Sequence, residues 1–153
     1  MNELLIMLAG ILLVYCFLVG WYRAPDNSMY PSMRDGDLTI YYRLDKKYDP
    51  QDLVALERGE KKEIRRVVAV AGDQVDIRNG YVYINGIPQR EPGIYEKTEQ
   101  FQGGVQFPLS VPDGQIFVLA DARENSTDSR IYGCVPVDKT FGTVIMIARR
   151  RGF

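Results

Sequence analysis

The chain has 153 residues, 25% of them charged and 46% apolar, with a formal net charge of −1. That length suits one domain with a real core, and no Lys/Arg stripe interleaves with aromatics, which excludes a nucleic-acid partner. Histidine is absent, which excludes zinc sites and Ser-His or Cys-His catalysis and leaves no metal or cofactor to expect.

The N-terminus comes first in chain order. Leu4 to Trp21, "LLIMLAGILLVYCFLVGW", carries no charge. At 1.5 Å per residue it would reach about 27 Å as a helix, close to the roughly 30 Å hydrocarbon core of a bilayer. Trp21 and Tyr22 stand where an interfacial aromatic belt would lie, and Arg23 could snorkel. A cleaved signal peptide would need a basic start and a shorter apolar core. Residues 4–22 are therefore expected to be a transmembrane anchor in contact with lipid, and 23–153 the domain it carries. All 19 lysines and arginines, and every acid but Glu3, follow the anchor, so the positive-inside rule barely sets its orientation.

From Asp37 the signals are those of an all-β domain. Residues 37–44, 52–57 and 62–70 read as strands. Asn79-Gly80 and Asn85-Gly86 mark tight turns within 76–86, and 115–120 and 143–148 read as near-continuous apolar strands. Between them, residues 87–110 are rich in Pro, Gly, Gln and Glu and read as a surface insertion. The tail 149–153 reads as a solvated end. Cys16 lies in the anchor and Cys134 in the domain, so no disulfide framework is implied.

Three clusters hold the candidate chemistry: "SMYPSMRDGD" at 28–37, "RRVVAVAGDQV" at 65–75 and "VPDGQIFVLADARENSTDSRIYG" at 111–133. Each alone reads as a turn, a core strand or a hydrogen-bonded loop. In this order and spacing they resemble the motif boxes of the type I signal peptidases (S26), membrane-anchored serine peptidases of the Ser-Lys dyad class. Those boxes read Ser-Met-x-Pro-Thr-Leu…Gly-Asp, then Lys-Arg-Val-(Val/Ile)-Gly-Leu-Pro-Gly-Asp-x-Val, then Val-Pro-x-Gly-x-x-Phe-Val-Leu-Gly-Asp-Asn-Arg-x-x-Ser-x-Asp-Ser-Arg-x-x-Gly. The resemblance spans nearly the whole chain and is weakest over 87–110.

The resemblance implies a β-rich peptidase domain behind one N-terminal transmembrane helix, lying on the extracytoplasmic face of the cytoplasmic membrane. It implies removal of signal peptides from exported preproteins, or of leaders from pilin-type substrates, after a small-x-small motif. Ser28 takes the nucleophile's place, Ser126 that of the serine supporting the lysine, and Asp128 with Arg130 that of a structural pair. Met29, Tyr30 and Met33 would suit a surface dipping into the membrane interface.

Positions 26, 65, 120 and 122 depart from the family. Its general-base lysine is Arg65 here, beside Arg66, which matches the family's arginine. A guanidinium stays protonated and cannot take a proton from Ser28, and burying it requires a partner. Lys61 and Lys62 lie about 10–13 Å back along a strand, while Lys46, Lys47, Lys97 and Lys139 lie outside the boxes. In the oxyanion region, formed with Ser28, the family's small residue is Asp26, whose charge opposes a developing oxyanion unless it turns toward Arg65 or another cation. Gly-Asp-Asn-Arg of the third box becomes Ala120-Asp121-Ala122-Arg123. Two readings stay open: a serine endopeptidase whose base is another lysine or a water, and a catalytically impaired homologue that binds peptides or acts as a chaperone-like factor in export or in pilus and surface-protein assembly.

Overall fold

The computed structural model describes residues 2–149; most of the tail expected at 149–153 lies outside the described residues. In chain order it comprises α1 (Asn2–Leu18), β1 (Val19–Arg23), β2 (Leu38–Tyr42), β3 (Leu53–Arg58), β4 (Lys61–Val70), β5 (Gln74–Arg78), β6 (Tyr81–Ile84) and β7 (Ile87–Pro88). Then follow β8 (Leu109–Ser110), β9 (Gln115–Leu119), α2 (Ser129–Tyr132), β10 (Val135–Pro136), a 3₁₀ turn (Val137–Lys139) and β11 (Thr140–Ala148). Among the described residues the strands form a seven-stranded sheet, ordered β1-β2-β11-β3-β4-β9-β10, and a four-stranded sheet, ordered β7-β6-β5-β8. The fold is mostly β, as expected.

The segment expected to cross a membrane is not one helix. Its helical part stops at Leu18, and Val19–Arg23 becomes an edge strand paired with β2, Trp21 facing Ile40. Among the described residues no helix is long and apolar enough to cross a membrane. The 17 residues of α1 reach about 26 Å. The break has a packing cause. Gly20 lies so close to Tyr41 that a Cβ there would meet the ring 2.2 Å away, so this residue lets a buried tyrosine lie flat against the new strand.

The strand expectations hold with small shifts at the ends. The Asn79-Gly80 and Asn85-Gly86 pairs sit at positive φ, 54° and 81° in the first and 52° and 80° in the second. They close two-residue hairpins between Arg78 and Tyr81 and between Ile84 and Ile87, as primed turns require. β11 starts at Thr140, three residues before its expected start. α2 is a single turn inside the third box, capped by Asp128.

The excursion at 87–110 is tied down more firmly than a surface insertion. Glu91 forms an ion pair with the fully buried Arg123, which also donates to Thr98 and to the Ala120 carbonyl. Gly104 and Val105 pack at the Arg130 carbonyl, which accepts the Val105 N–H. The excursion thus covers the third box, and its polar composition supplies partners for two buried arginines.

Beneath the first box lies an apolar cluster of Ala24, Met29, Met33, Tyr41, Ala55, Ile64 and Ala120. Met29 and Met33, expected at a membrane surface, are therefore core residues; of the three named for that role only Tyr30 is exposed. The exposed apolar surface lies elsewhere. It follows α1 and continues over the outer face of β1, β2 and β11 through Trp21, Leu38, Ile145 and Met146.

Candidate active site

The first box is a chain of turns between β1 and β2. Asn27 O accepts the Tyr30 N–H, Met29 O accepts that of Met33, and Ala24 exchanges backbone bonds with Gly36 and Asp37. Burial of Met29 and Met33 fixes this loop to the sheet and leaves Ser28, between them and solvent, half-buried. The Ser28 carbonyl is held from the third box by the Ala122 N–H at 3.0 Å and the Ser126 hydroxyl at 3.5 Å. Two clefts open on either side of Ser28. One, of about 670 Å³, is walled by Asp26, Tyr30, Arg34 and Ala122. The other, of about 520 Å³, is walled by Tyr22, Met33, Lys62, Glu63 and Arg65.

Arg65 comes from the middle of β4, opposite Val54 of β3, and is 5% exposed. Its Nη1 donates to the Ser28 hydroxyl at 3.3 Å and to the Ile64 carbonyl at 2.7 Å. Its Nε and Nη2 both donate to Thr127 O. Its charge meets Glu63, two residues back on the same face of β4, at 3.2 Å. A buried guanidinium needs this many acceptors and a counter-charge. Glu63 is the partner that the sequence left unnamed, and its i, i+2 spacing on a strand was the available signal. Glu63 is also bridged by Arg58 at 2.6 Å.

Asp26 closes the other side of Ser28. Its Oδ1 accepts the Ser28 N–H at 2.8 Å, which holds the carboxylate beside the serine. Burial pushes the carboxyl pKa up, but hydrogen bonding to Ser28 and the Arg65 charge outweigh it and hold the group below its ordinary value. Ser28 therefore sits between a carboxylate and a guanidinium. Two lysines line the cleft beside Ser28: Lys61, and Lys62, which donates to the Tyr41 hydroxyl at 2.7 Å and lies over the Phe141 ring. Among the described residues no lysine bonds to Ser28.

The supporting residues converge as a frame. Arg66 grips Asp121 through Nε at 2.7 Å and Nη2 at 2.6 Å and also donates to Ser32, joining all three boxes. Asp128 and Arg130 form a fully buried pair at 2.8 Å. Asp121 as the clamp for Arg66 was not foreseen.

The comparisons show the family. The family described as "Signal peptidase, peptidase S26" matches residues 1–148. The chain belongs to the signal peptidase family. Signal peptidase I S of Bacillus subtilis is 32% identical, over 78% of this chain and 70% of its own length. Signal peptidase I of Bacillus amyloliquefaciens is 31% identical, over 93% of this chain and 80% of its own. The crystal structure of a signal peptidase I from Enterococcus faecalis superposes with a TM-score of 0.55 at 26% identity, covering 65% of this chain and 97% of that one. Within this signal peptidase fold, the boxes expected from sequence meet around one serine.

Proposed function

We propose that this signal peptidase homologue cleaves signal peptides from exported preproteins, pilin-type precursors among them, with Ser28 as the nucleophile. The observation that carries the reading is the setting of Ser28. Its backbone is fixed by Ala122 and Ser126, and its hydroxyl faces two clefts large enough for the residues flanking a scissile bond. A hydroxyl needs an adjacent polar group to become a nucleophile; Arg65 donates to the Ser28 hydroxyl, and Asp26 binds the N–H of the same residue. Arg65 stands in for the family's lysine and, with its charge paired to Glu63, acts electrostatically rather than as a base.

The domain works at the outer face of the cytoplasmic membrane, where preproteins emerge. α1 and the adjoining apolar face of Trp21, Leu38, Ile145 and Met146 attach it to lipid, since an exposed apolar area of this kind marks an interaction surface.

The test is cleavage of a preprotein carrying a small-x-small site by the detergent-solubilised full-length chain. Wild type is expected to cut there, and Ser28→Ala to lose about 1,000-fold or more in rate while unfolding at the same temperature. Undiminished cleavage by Ser28→Ala would remove Ser28 from the reaction. Silence from wild type, together with peptide binding in the clefts, would favour a peptide-binding homologue.

A further inference from the structure

We propose that Asp26 is the general base of this site, taking the hydroxyl proton of Ser28 while Arg65 stabilises the oxygen that attacks. The inference rests on the peptidase reading above and deepens it. Ser28 is held on two sides by groups of opposite charge. Asp26 Oδ1 is 2.8 Å from the Ser28 nitrogen, which places its carboxylate next to the residue whose hydroxyl it would deprotonate. Arg65 Nη1 donates to Ser28 Oγ at 3.3 Å, so the hydroxyl accepts from the guanidinium and is left to donate toward the carboxylate. Of the two, only the carboxylate can accept a proton. Among the described residues no lysine bonds to Ser28: Lys62 is bound to Tyr41, and the exposed Lys61 lines the same cleft.

The departures expected at positions 26 and 65 then explain each other. A carboxylate is a weak base toward a hydroxyl, and a guanidinium beside the same oxygen offsets that weakness by stabilising the developing alkoxide. Among the charged groups near Asp26, Arg65 favours its ionised form. The cleft that Asp26 shares with Arg65 is also lined by Arg58, Lys61, Lys62, Arg23, Glu63 and the Tyr22 phenol, and the other cleft by Arg34 and Glu96.

The steps balance. Ser28 Oγ bonds to the scissile carbonyl carbon as its proton passes to Asp26, and the carbonyl π electrons move to the oxygen. Asp26, now neutral, loosens its hold on the Ser28 N–H, which becomes free to bind that oxyanion. On collapse the C–N bond breaks and the leaving amine takes the proton back from Asp26. Water then attacks the acyl ester, gives a proton to Asp26 and releases the carboxyl product, and Ser28 regains its proton.

The experiment compares wild type, Asp26→Asn and Ser28→Ala in single-turnover cleavage of the same preprotein, with rate measured from about pH 3 to pH 9. Asparagine keeps an oxygen acceptor for the Ser28 N–H, so the turn should persist, and thermal unfolding checks that it does. The expected result is a loss of about 100-fold or more in Asp26→Asn at every pH. The wild-type rate should hold through the acidic range and fall only below the ordinary aspartate value of about 3.9.

A wild-type rate that falls below neutral or alkaline pH reports a lysine-type base and overturns the inference, whether or not the Asn variant folds. Asp26→Asn within about threefold of wild type overturns it as well. In both cases a silent Ser28→Ala leaves the peptidase reading standing. Wild type inactive at every pH overturns both.

Discussion

Asp128→Asn tests the frame that holds the third box against Ser28. The Asp128 carboxylate accepts four bonds. Oδ1 takes the Arg130 N–H at 3.1 Å and Nε at 2.9 Å, and Oδ2 takes Nη2 at 2.8 Å and the Ala120 N–H at 3.1 Å. An asparagine can keep the first two. Its amide NH₂ would then face two donors, Nη2 and the Ala120 N–H, with no room for water because neither residue of the pair is more than 1% exposed. Removing one partner of a buried pair costs about 3–5 kcal/mol. Arg130 keeps the carbonyls of Glu99 and Arg123 and the Phe101 ring 4.5 Å away, so the expected loss is about 2–4 kcal/mol. Urea unfolding followed by circular dichroism should show the midpoint falling by about 1–2 M at unchanged slope. Asp138→Asn, on an exposed turn, should change stability by no more than about 0.5 kcal/mol. If Asp128→Asn also stays within that range, the buried pair does not hold the loop.

Two further outcomes follow from the packing and the charges. Gly142 has φ +141° and sits where a Cβ would meet the Tyr42 carbonyl oxygen at 1.8 Å; because that neighbour is backbone, Gly142→Ala should cost about 1–3 kcal/mol or more in thermal unfolding, and an unchanged midpoint would refute the close approach. Burial and the Asp26 charge, partly countered by Arg65 and reinforced by Glu63, raise the Tyr22 phenol to about 12. Its folded value then stands above the unfolded value near 10, so stability is complete below pH 10 and is lost as pH rises toward 12. Tyr22→Phe should flatten that alkaline loss, and urea unfolding at several alkaline pH values would show whether it does.

The parts legible in the sequence are those with a local cause. Asn-Gly pairs need positive φ and make hairpins wherever they occur between β-branched strands. The first box is a chain of turns between β1 and β2, the second runs from mid-β4 through a turn into β5, and the third runs from before β9 through α2. The end of α1 was not legible, since an uninterrupted apolar run gives no period to separate helix from strand. What turns the chain at Val19 is pairing with β2 and the Tyr41 ring beside Gly20, both distant in sequence. Met29 and Met33 likewise looked suited to lipid, and only the tertiary fold shows them beneath Ser28. Glu91 and Thr98 read as surface residues because their partner, Arg123, lies in another segment.

Position 65 cannot be understood apart from position 63. A lysine serving as base must lose its charge, which requires apolar surroundings and the absence of a nearby carboxylate. Here Glu63 faces position 65 at 3.2 Å, and Thr127 and Ile64 present carbonyl oxygens to it. Those acceptors favour a permanent cation. A lysine placed there by Arg65→Lys would be held in its charged form by the same groups, so one substitution does not recreate the family's dyad. The neighbourhood is matched to arginine, and a carboxylate, Asp26, binds the backbone N–H of the serine whose hydroxyl Arg65 meets. On the proposal made above, Asp26 and Arg65 form one arrangement of charge around Ser28, in which the cation keeps its proton and the acid takes that of the hydroxyl.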